Sequence, residues 1–185
     1  KNISLQKKQY FTLVSEFMLQ QTQVSTVIPF FNRFIKNLPT LKKLANVKEK
    51  KLIKLWEGLG YYSRARNLKK TAQLILNNFD GKVPKNYDQL KSLPGIGNYT
   101  ASAIMAIAFN KPFIPLDGNI ERVLKRYLYL KKDGEIQKDN LVKKKSVLGT
   151  SLRSSDYAQA LMELGALICK PSNPLCNKCP ISSNC

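Results

Sequence analysis

The sequence predicts an all-α protein, and three observations support that prediction. No stretch alternates apolar and polar residues as a half-buried β-strand does. Apolar residues instead recur at helical spacing, in segments bounded by Gly, Pro, Asn or Asp. Residues 101–109 are apolar on every face of a helix, which is typical of a segment buried in a core. With 185 residues, 43% of them hydrophobic, the chain can form one domain or two small lobes sharing a core.

The individual helices follow from the same periodicity and from end signals. Gly58 and Gly60 are expected to end one helix, and Asn86 with Gln89 forms a capping box that starts another. The predicted helices cover residues 9–25, 26–44 with a break at Leu38-Pro39 and a second start at Thr40, 48–56, 67–79, a short segment from 86, the apolar segment up to 109, 119–130, a Lys-rich segment with Lys143, Lys144 and Lys145, and 155–168.

The segment from Leu93 to Asn119 contains a Pro-Gly-Ile-Gly turn between two predicted helices. We expect Gly95 and Gly97 to adopt positive φ and to let an outside group approach closely. The N–H groups of these glycines and of Asn98 would then favour an anion such as phosphate. The alternative is a plain connector, since such turns often have no other role.

The charge indicates a polyanionic partner. Thirty-one Lys and Arg face twelve Asp and Glu, which gives a net charge of +19. This favours nucleic acid first and an anionic membrane second, with basicity for solubility as the alternative. The sequence has no run of eighteen apolar residues and no visible signal peptide. It has no histidine, which excludes His-based triads, HExxH proteases and zinc deaminases.

Two carboxylates are candidates for chemistry. Glu16 is the one acid of its predicted helix and begins the amide-rich run EFMLQQTQV, which suits hydrogen bonding to base edges. The alternative for Glu16 is a solvated surface glutamate. Asp117 precedes the helix at 119–130, where a simple N-cap is the strong alternative.

The run GLGYYSRAR combines aromatic and basic residues directly after a helix end. Aromatic faces such as that of Tyr61 can stack on bases or wedge between them, and arginines such as Arg64 can hold phosphates. The alternative is that Tyr61 and Tyr62 belong to the core.

All four cysteines lie in the last seventeen residues, with the spacing C-x6-C-x2-C-x5-C. Disulfides are one alternative, although no secretion signal supports them. Structural zinc is another, but it usually has paired C-x2-C knuckles and only one such pair exists here. A 4Fe-4S cluster fits the spacing better, as a structural element of the C-terminal loop. Its ligands would be Cys169, Cys176, Cys179 and Cys185.

Five runs together resemble the helix–hairpin–helix DNA glycosylases with an iron–sulfur cluster loop, most closely their adenine-specific members. These runs are EFMLQQTQV, LWEGLGYYSRARNL, LPGIGNYTASAI, PLDGNIERVL and ALMELGALIC. The resemblance implies a six-helix barrel with the hairpin at 9–113, and a cluster lobe at 114–185 packed with 1–8. It also implies a cleft for double-stranded DNA with a mispaired adenine. In that family a further C-terminal domain reads 8-oxoguanine, and we expect this domain to be absent from this chain.

The resemblance implies roles for single residues. Glu16 would be the general acid that protonates adenine, Asp117 would stabilise the sugar cation, and Tyr99 would lie beside them. Gln21 and Tyr61 would enter the duplex where adenine has left the stack, and Gln159 would contact the flipped base. The residues expected to bind DNA or the base are Gln20, Gln21, Thr22, Tyr61, Arg64, Gly95, Gly97, Asn119 and Gln159.

Tyr99 stands where the related endonuclease III has a Schiff-base lysine, so the resemblance implies base removal without strand cleavage. The expected enzyme is a monomeric adenine glycosylase in a bacterial cytoplasm, near the nucleoid. Two alternatives stay open: a sibling glycosylase for another base, such as thymine in a G·T mismatch, and a non-catalytic DNA-binding module with a structural metal.

Overall fold

The computed structural model describes residues 4–129 and 151–185. Within these two ranges every regular element is helical and no residue lies in a β-strand, which confirms the all-α prediction. The predicted Lys-rich helix around Lys143 lies outside the described residues. No helix in the described ranges combines the length and the hydrophobicity that crossing a lipid bilayer requires.

The chain divides into two compact units between Ile104 and Met105. The division falls earlier than the boundary expected between residues 113 and 114, and the lobes at 9–113 and 114–185 stay predictions. The helices of the first unit are α1 (Leu5–Leu19), α2 (Val24–Asn37), α3 (Leu41–Ala45), α4 (Glu49–Trp56), α5 (Tyr62–Asn78), α6 (Tyr87–Lys91) and α7 (Asn98–Ala103).

Two helix starts of the first unit, those of α3 and α6, follow the predicted end signals. Thr40 caps α3 by accepting a hydrogen bond from the backbone N–H of Lys43 at 3.2 Å. Asn86 caps α6 by accepting from the N–H groups of Asp88 and Gln89 at 2.9 and 3.0 Å. A side-chain oxygen at this position satisfies N–H groups that have no partner inside the helix.

Several boundaries in the first unit differ from the prediction. Helix α1 begins at Leu5 rather than at residue 9, and α2 begins at Val24 rather than at residue 26. Helix α1 ends at Leu19 rather than at residue 25, because the backbone leaves the helical conformation at Gln20, with ψ 111°, and turns left-handed at Gln21, with φ 56°. Helix α5 begins at Tyr62 rather than at residue 67. Helical periodicity cannot locate such ends, since it describes only the buried face.

The core of the first unit forms where α1 packs against α2 and α5. Phe17, Phe34 and Trp56 are completely buried. The rings of Phe34 and Trp56 meet edge to face, with centroids 5.9 Å apart. Such aromatic pairs add to the free energy gained from burial alone.

The apolar segment predicted at 101–109 is buried, as expected. It begins as α7 and continues from Ile104 to Ala108 as a π-helical turn. Ala101 and Ala103 are wholly buried in the first unit, and Ala106 is wholly buried in the second. The wider π-helical turn has no signature in the hydrophobic pattern.

The second unit is built on α8 (Gly118–Tyr127) and α9 (Ser154–Glu163), with a π-helical turn (Leu164–Ile168) and two short 3₁₀ turns (Cys176–Lys178 and Ser182–Asn184). Ile120, Leu124 and Leu161 form its apolar centre. Asn110 caps α9 from a distance, because its Oδ1 accepts from the N–H of Ser155 at 2.9 Å.

Close backbone contact between α8 and the π-helical turn depends on Gly165. A Cβ atom at this position would lie 2.7 Å from Cβ of Asn119 and 2.9 Å from its carbonyl oxygen. A side chain there would push the π-helical turn away from the start of α8.

We expect Gly165→Ala to lower the free energy of unfolding by about 1–3 kcal/mol, the usual cost of forcing a methyl group into a packed contact. The control is Gly118→Ala at the start of α8, where an added Cβ meets no atom within 4 Å. Thermal denaturation followed by circular dichroism measures both. Equal melting temperatures for Gly165→Ala and the parent would contradict the close contact.

Candidate active site

Glu16 is a buried carboxyl group on α1. Its residue surface is 4% exposed, so the interpretation as a solvated surface glutamate is wrong. Burial raises the pKa of Glu16 from its ordinary 4.5 to about 7, because the interior disfavours the charged form. A side-chain hydrogen bond with Tyr99 lowers the pKa and so offsets part of this shift. Oε2 of Glu16 is buried, and no residue in 4–129 or 151–185 forms a hydrogen bond with it.

Tyr99 lies in the first turn of α7, directly after the hairpin at residues 92–97 that joins α6 to α7, and its side chain hydrogen-bonds with Glu16. Gln20 ties the end of α1 to the same hairpin, because its Nε2 donates to the carbonyl of Gly95 at 3.0 Å. Thr100 Oγ1 lies 3.5 Å from the same amide nitrogen. The first unit therefore brings together the predicted acid, the predicted tyrosine and Gln20.

The two hairpin glycines differ from each other. Gly95 has the expected positive φ of 78°, but Gly97 has φ −90° and ψ −175°, which any residue can adopt. The expectation of positive φ at Gly97 is therefore wrong. A Cβ on Gly95 would lie 2.8 Å from Cε1 of Phe17, whereas a Cβ on Gly97 would meet nothing within 4 Å. Gly95 thus lets the hairpin approach α1 closely.

Gln21 and Tyr61 both project into solvent from left-handed backbone, with φ 56° and 46°. Tyr61 is 63% exposed and Tyr62 is 37% exposed, so neither ring is in the core. Thr22 is half-buried and donates its hydroxyl to the carbonyl of Gln20 at 3.3 Å.

Arg64 is buried, unlike an arginine that binds a phosphate of DNA at the protein surface. Its two terminal nitrogens donate to oxygens of the chain itself. Burial lowers the pKa of the Arg64 guanidinium. Its proposed contact with DNA stays a prediction. Arg66, in contrast, is exposed and pairs with Glu49 at 2.8 Å.

In the second unit, Asp117 is half-buried at the start of α8. Its Oδ1 accepts from the N–H of Ile120 at 2.7 Å, so the expected N-cap is present. Its Oδ2 accepts from the Asn119 amide at 3.0 Å. A carboxylate has about four acceptor positions, so this cap leaves capacity for a further interaction.

Arg122 orients that pair and was not among the predicted site residues. Its guanidinium donates to Oδ1 of Asn119 at 3.0 Å and to the carbonyls of Gly165 and Cys169 at 2.6 and 2.8 Å. Because Oδ1 of Asn119 accepts from Arg122, the amide nitrogen faces Asp117. The three-residue spacing from Asn119 to Arg122 was the available signal, since it places both on one helix face.

Gln159 lies exposed on α9. Its amide nitrogen donates to the carbonyl and the hydroxyl oxygen of Ser155, at 3.0 and 3.3 Å. Glu16 and Asp117 belong to different compact units, and their presence in one cleft stays a prediction.

The four cysteines are all free of disulfides. Nη1 of Arg126 donates to Sγ of Cys169 at 3.3 Å. Burial raises the pKa of the Cys185 thiol, and the charges of the other three cysteines raise it further. Among the described residues, no three His, Cys, Asp or Glu side chains are arranged to hold a metal ion.

Comparison with known proteins identifies the family. A model described as "HhH-GPD superfamily base excision DNA repair protein" matches residues 14–146. The chain belongs to this superfamily. The match agrees with the resemblance drawn from the five sequence runs.

Within this superfamily, the chain is similar in sequence to proteins named adenine DNA glycosylase. An adenine DNA glycosylase of Buchnera aphidicola (subsp. Baizongia pistaciae) is 44% identical over 98% of this chain and 52% of its own length. The Homo sapiens adenine DNA glycosylase is 40% identical over 99% of this chain and 34% of its own length. The chain therefore spans about half or less of these relatives.

Solved HhH-GPD structures match the fold. A thermostable thymine-DNA glycosylase has a TM-score of 0.81 at 27% identity, covering 100% of this chain and 87% of its own. An endonuclease III in a non-covalent DNA complex has a TM-score of 0.80 at 24% identity, covering 99% and 86%. These likenesses confirm the predicted helix–hairpin–helix glycosylase fold.

Glu16→Gln is expected to gain stability over the parent as the pH rises. The folded pKa of Glu16, about 7, exceeds the ordinary 4.5, so the charged carboxylate destabilises the fold and the protonated group does not. Between pH 4.5 and 7 the parent loses up to about 3 kcal/mol that the neutral amide does not lose. Melting temperatures at pH 4 and pH 8 measure the difference.

Glu163→Gln serves as the control for this pH dependence, because Glu163 is exposed at the end of α9. Its melting temperature should follow the parent's at both pH values. A Glu16→Gln variant that also followed the parent at both values would show that Glu16 titrates as an ordinary carboxyl group.

Proposed function

We propose that this chain is the catalytic part of an adenine-specific DNA glycosylase of base excision repair. It hydrolyses the N-glycosidic bond of adenine mispaired with 8-oxoguanine or guanine. The observation that carries the proposal is the buried Glu16, whose raised pKa of about 7 keeps a proton available near neutral pH. The curated adenine DNA glycosylases, 37–44% identical, support adenine as the base.

Glu16 acts as the general acid. Adenine leaves the sugar readily only when a ring nitrogen gains a proton, because the departing base is otherwise a poor leaving group. A carboxylic acid with a pKa near the working pH is the most effective donor. Oε2 has no hydrogen-bond partner among the described residues, so it is the oxygen that we assign to the incoming base. Tyr99 stabilises the carboxylate that remains, through its hydrogen bond to Glu16.

Asp117 stabilises the positive charge that develops on the sugar as the bond to adenine breaks. Asn119 holds one carboxylate oxygen and Arg122 fixes the Asn119 amide, so the anion is oriented before substrate arrives. Water then adds to C1′ of the sugar and gives a proton to the Glu16 carboxylate, which leaves an abasic site and restores the acid. Tyr99 has no amine, so no Schiff base forms at that position and the strand stays intact.

Double-stranded DNA is the substrate, and the net charge of +19 favours its phosphates. Gln21 and Tyr61 fill the gap that opens when adenine is flipped out of the stack. Both are exposed, as that role requires. Gln20, Thr22, Gly95, Gly97 and Gln159 are the further DNA or base contacts of the proposal. A monomer in a bacterial cytoplasm, close to the nucleoid, fits this activity.

Thymine in a G·T mismatch is the second candidate substrate. The structural likeness to a thymine-DNA glycosylase favours it, at 27% identity. The adenine-named relatives are more similar in sequence, at up to 44% identity. A non-catalytic binding module is disfavoured, because it would have no use for a carboxyl group buried at a cost in stability.

A 4Fe-4S cluster held by Cys169, Cys176, Cys179 and Cys185 is part of the proposal. All four thiols are unpaired, and their charges act on one another. A cubane cluster separates its four thiolates more widely than one metal ion does, because irons and sulfides fill its centre. Arg126 donates to Cys169 Sγ, which suits a thiolate carrying negative charge. The cluster would link the loop's ends and add structural stability.

Base release tests the function. Glu16→Gln keeps the side-chain shape but cannot donate a proton, so adenine release from A:8-oxoguanine duplexes should slow by roughly 10²-fold or more. Asp117→Asn should be severely slow as well, because the sugar cation loses its counter-charge. Single-turnover kinetics at enzyme excess measure both, and denaturing gels should show no nicking before alkali treatment.

The parent's pH profile provides the second readout. Its rate should fall above pH 7, where Glu16 loses its proton, and Glu163→Gln should keep the parent's rate and profile. Release of adenine by Glu16→Gln at the parent rate would refute the assignment of the acid. Preferential release of thymine from G·T duplexes would instead favour the second candidate.

Iron and sulfide analysis tests the cluster. The purified protein should contain both and absorb visible light broadly. Cys176→Ser should lose iron and lower the melting temperature, because the loop loses a cross-link. Ser183→Ala, an exposed position of the same loop, should retain both properties. A parent protein with zinc and without iron would contradict the assignment.

A further inference from the structure

Arg64 connects two segments of the first unit through one guanidinium group. Only 6% of its residue surface is exposed, although it lies in the first turn of α5. It donates hydrogen bonds to the C-terminal end of α1 with the residues that follow it, and to the segment that precedes α5. The acceptors are the carbonyls of Phe17 at 3.5 Å, Met18 at 2.8 Å, Gln20, Leu59 at 3.1 Å and Gly60 at 3.2 Å, and the hydroxyl of Thr22 at 3.0 Å.

These acceptors flank two residues with unusual backbone. Gln20 and Thr22 lie on either side of Gln21, and Gly60 immediately precedes Tyr61. Gln21 and Tyr61 are left-handed without being glycine. Such conformations persist only where surrounding contacts determine them, since the Cβ atom is crowded there. The guanidinium supplies contacts of this kind to both.

Two aromatic rings also lie close to the Arg64 guanidinium group. The guanidinium carbon lies 5.5 Å from the ring centroid of Tyr61 and 5.7 Å from that of Trp56. Trp56 also donates from its indole nitrogen to the carbonyl of Gly60 at 3.1 Å. Tyr61 is therefore held both through the carbonyl before it and through its ring.

We propose that Arg64 is a positioning residue that presets Gln21 and Tyr61 as one rigid pair before DNA arrives. This inference rests on the proposed function, in which both residues enter the duplex. A pair that is ordered in the free protein avoids the entropy loss of ordering on binding. Filling the gap left by adenine then needs no rearrangement of either segment.

The same contacts argue against Arg64 as a phosphate ligand. A phosphate ligand presents its donors to solvent, whereas both Nη atoms of Arg64 already donate to the chain and its Nε is buried. Lysine cannot replace this arrangement, because one ammonium lacks the planar fork that reaches two segments. A phosphate contact, in contrast, depends chiefly on charge, which lysine preserves.

Amide hydrogen exchange on the DNA-free protein tests the positioning directly. In Arg64→Lys, exchange should quicken about tenfold or more in both segments, residues 20–23 and 59–62, and much less in the core of α5. Arg66→Lys is the matched control, since Arg66 lies two positions along the same helix and is exposed. It should leave both segments unchanged. Unchanged exchange in Arg64→Lys would overturn the proposal.

A duplex with 2-aminopurine in place of the target adenine tests the consequence for DNA. Its fluorescence rises when the base leaves the stack, and that rise should be about tenfold smaller with Arg64→Lys. The slope of log affinity against log salt should equal the parent's. A slope reduced by about one in Arg64→Gln would identify a lost phosphate contact and overturn the proposal.

Thr22→Val keeps the test decisive if Arg64→Lys fails to fold. It removes one acceptor of Arg64 and no charge, so exchange at residues 20–23 should quicken by a smaller factor while the salt slope stays. No change at residues 20–23 would overturn the proposal. A parent protein that neither flips 2-aminopurine nor releases adenine would refute the proposed function, while the exchange result would still decide the role of Arg64.

Discussion

The proposed chemistry depends on one constraint, the burial of the Glu16 carboxyl group in the core of the first unit. Desolvation is the larger influence on its pKa, and the Tyr99 hydrogen bond is the smaller opposing one. A buried carboxylate is costly, so the group keeps its proton near neutral pH. The neighbouring Phe17 and Met18 are fully buried, which anchors this part of α1 in dry surroundings. The pKa of Glu16 is therefore raised by burial in the packed core and not by a neighbouring negative charge.

Close packing also explains why acid and hairpin lie together. Gly95 has no side chain where one would strike Phe17, so the hairpin can approach the helix that carries Glu16. Gln20 then bonds the carbonyl of that same glycine. Phe17, Gly95 and Gln20 thus hold Tyr99 within reach of the carboxyl group. Gly95 is therefore needed for the short distance between the hairpin and α1 as well as for its positive φ.

Helices and their caps could be predicted from short stretches of sequence. Contacts between residues that are distant in sequence could not be predicted in this way. Thr40, Asn86 and Asp117 cap helices as expected, because a cap depends on neighbouring residues alone. The end of α1, the burial of Arg64 and the role of Arg122 depend on segments far along the chain. The residue type of an arginine does not reveal whether its side chain is exposed to solvent or, like that of Arg64, donates to six oxygens of its own chain. The short sequence motifs were therefore sufficient to identify the family, but they did not predict the contacts of individual side chains such as Arg64 and Arg122.

The raised pKa of Glu16 has a calorimetric consequence in a chain that has no histidine. Ordinary Asp, Glu, Lys and Tyr side chains titrate well away from neutrality, so few groups compete with Glu16 for protons there. A ligand that requires the protonated acid would draw protons from the buffer as it binds. The measured heat would then vary with the buffer's ionisation enthalpy, which would count those protons without any chemical step.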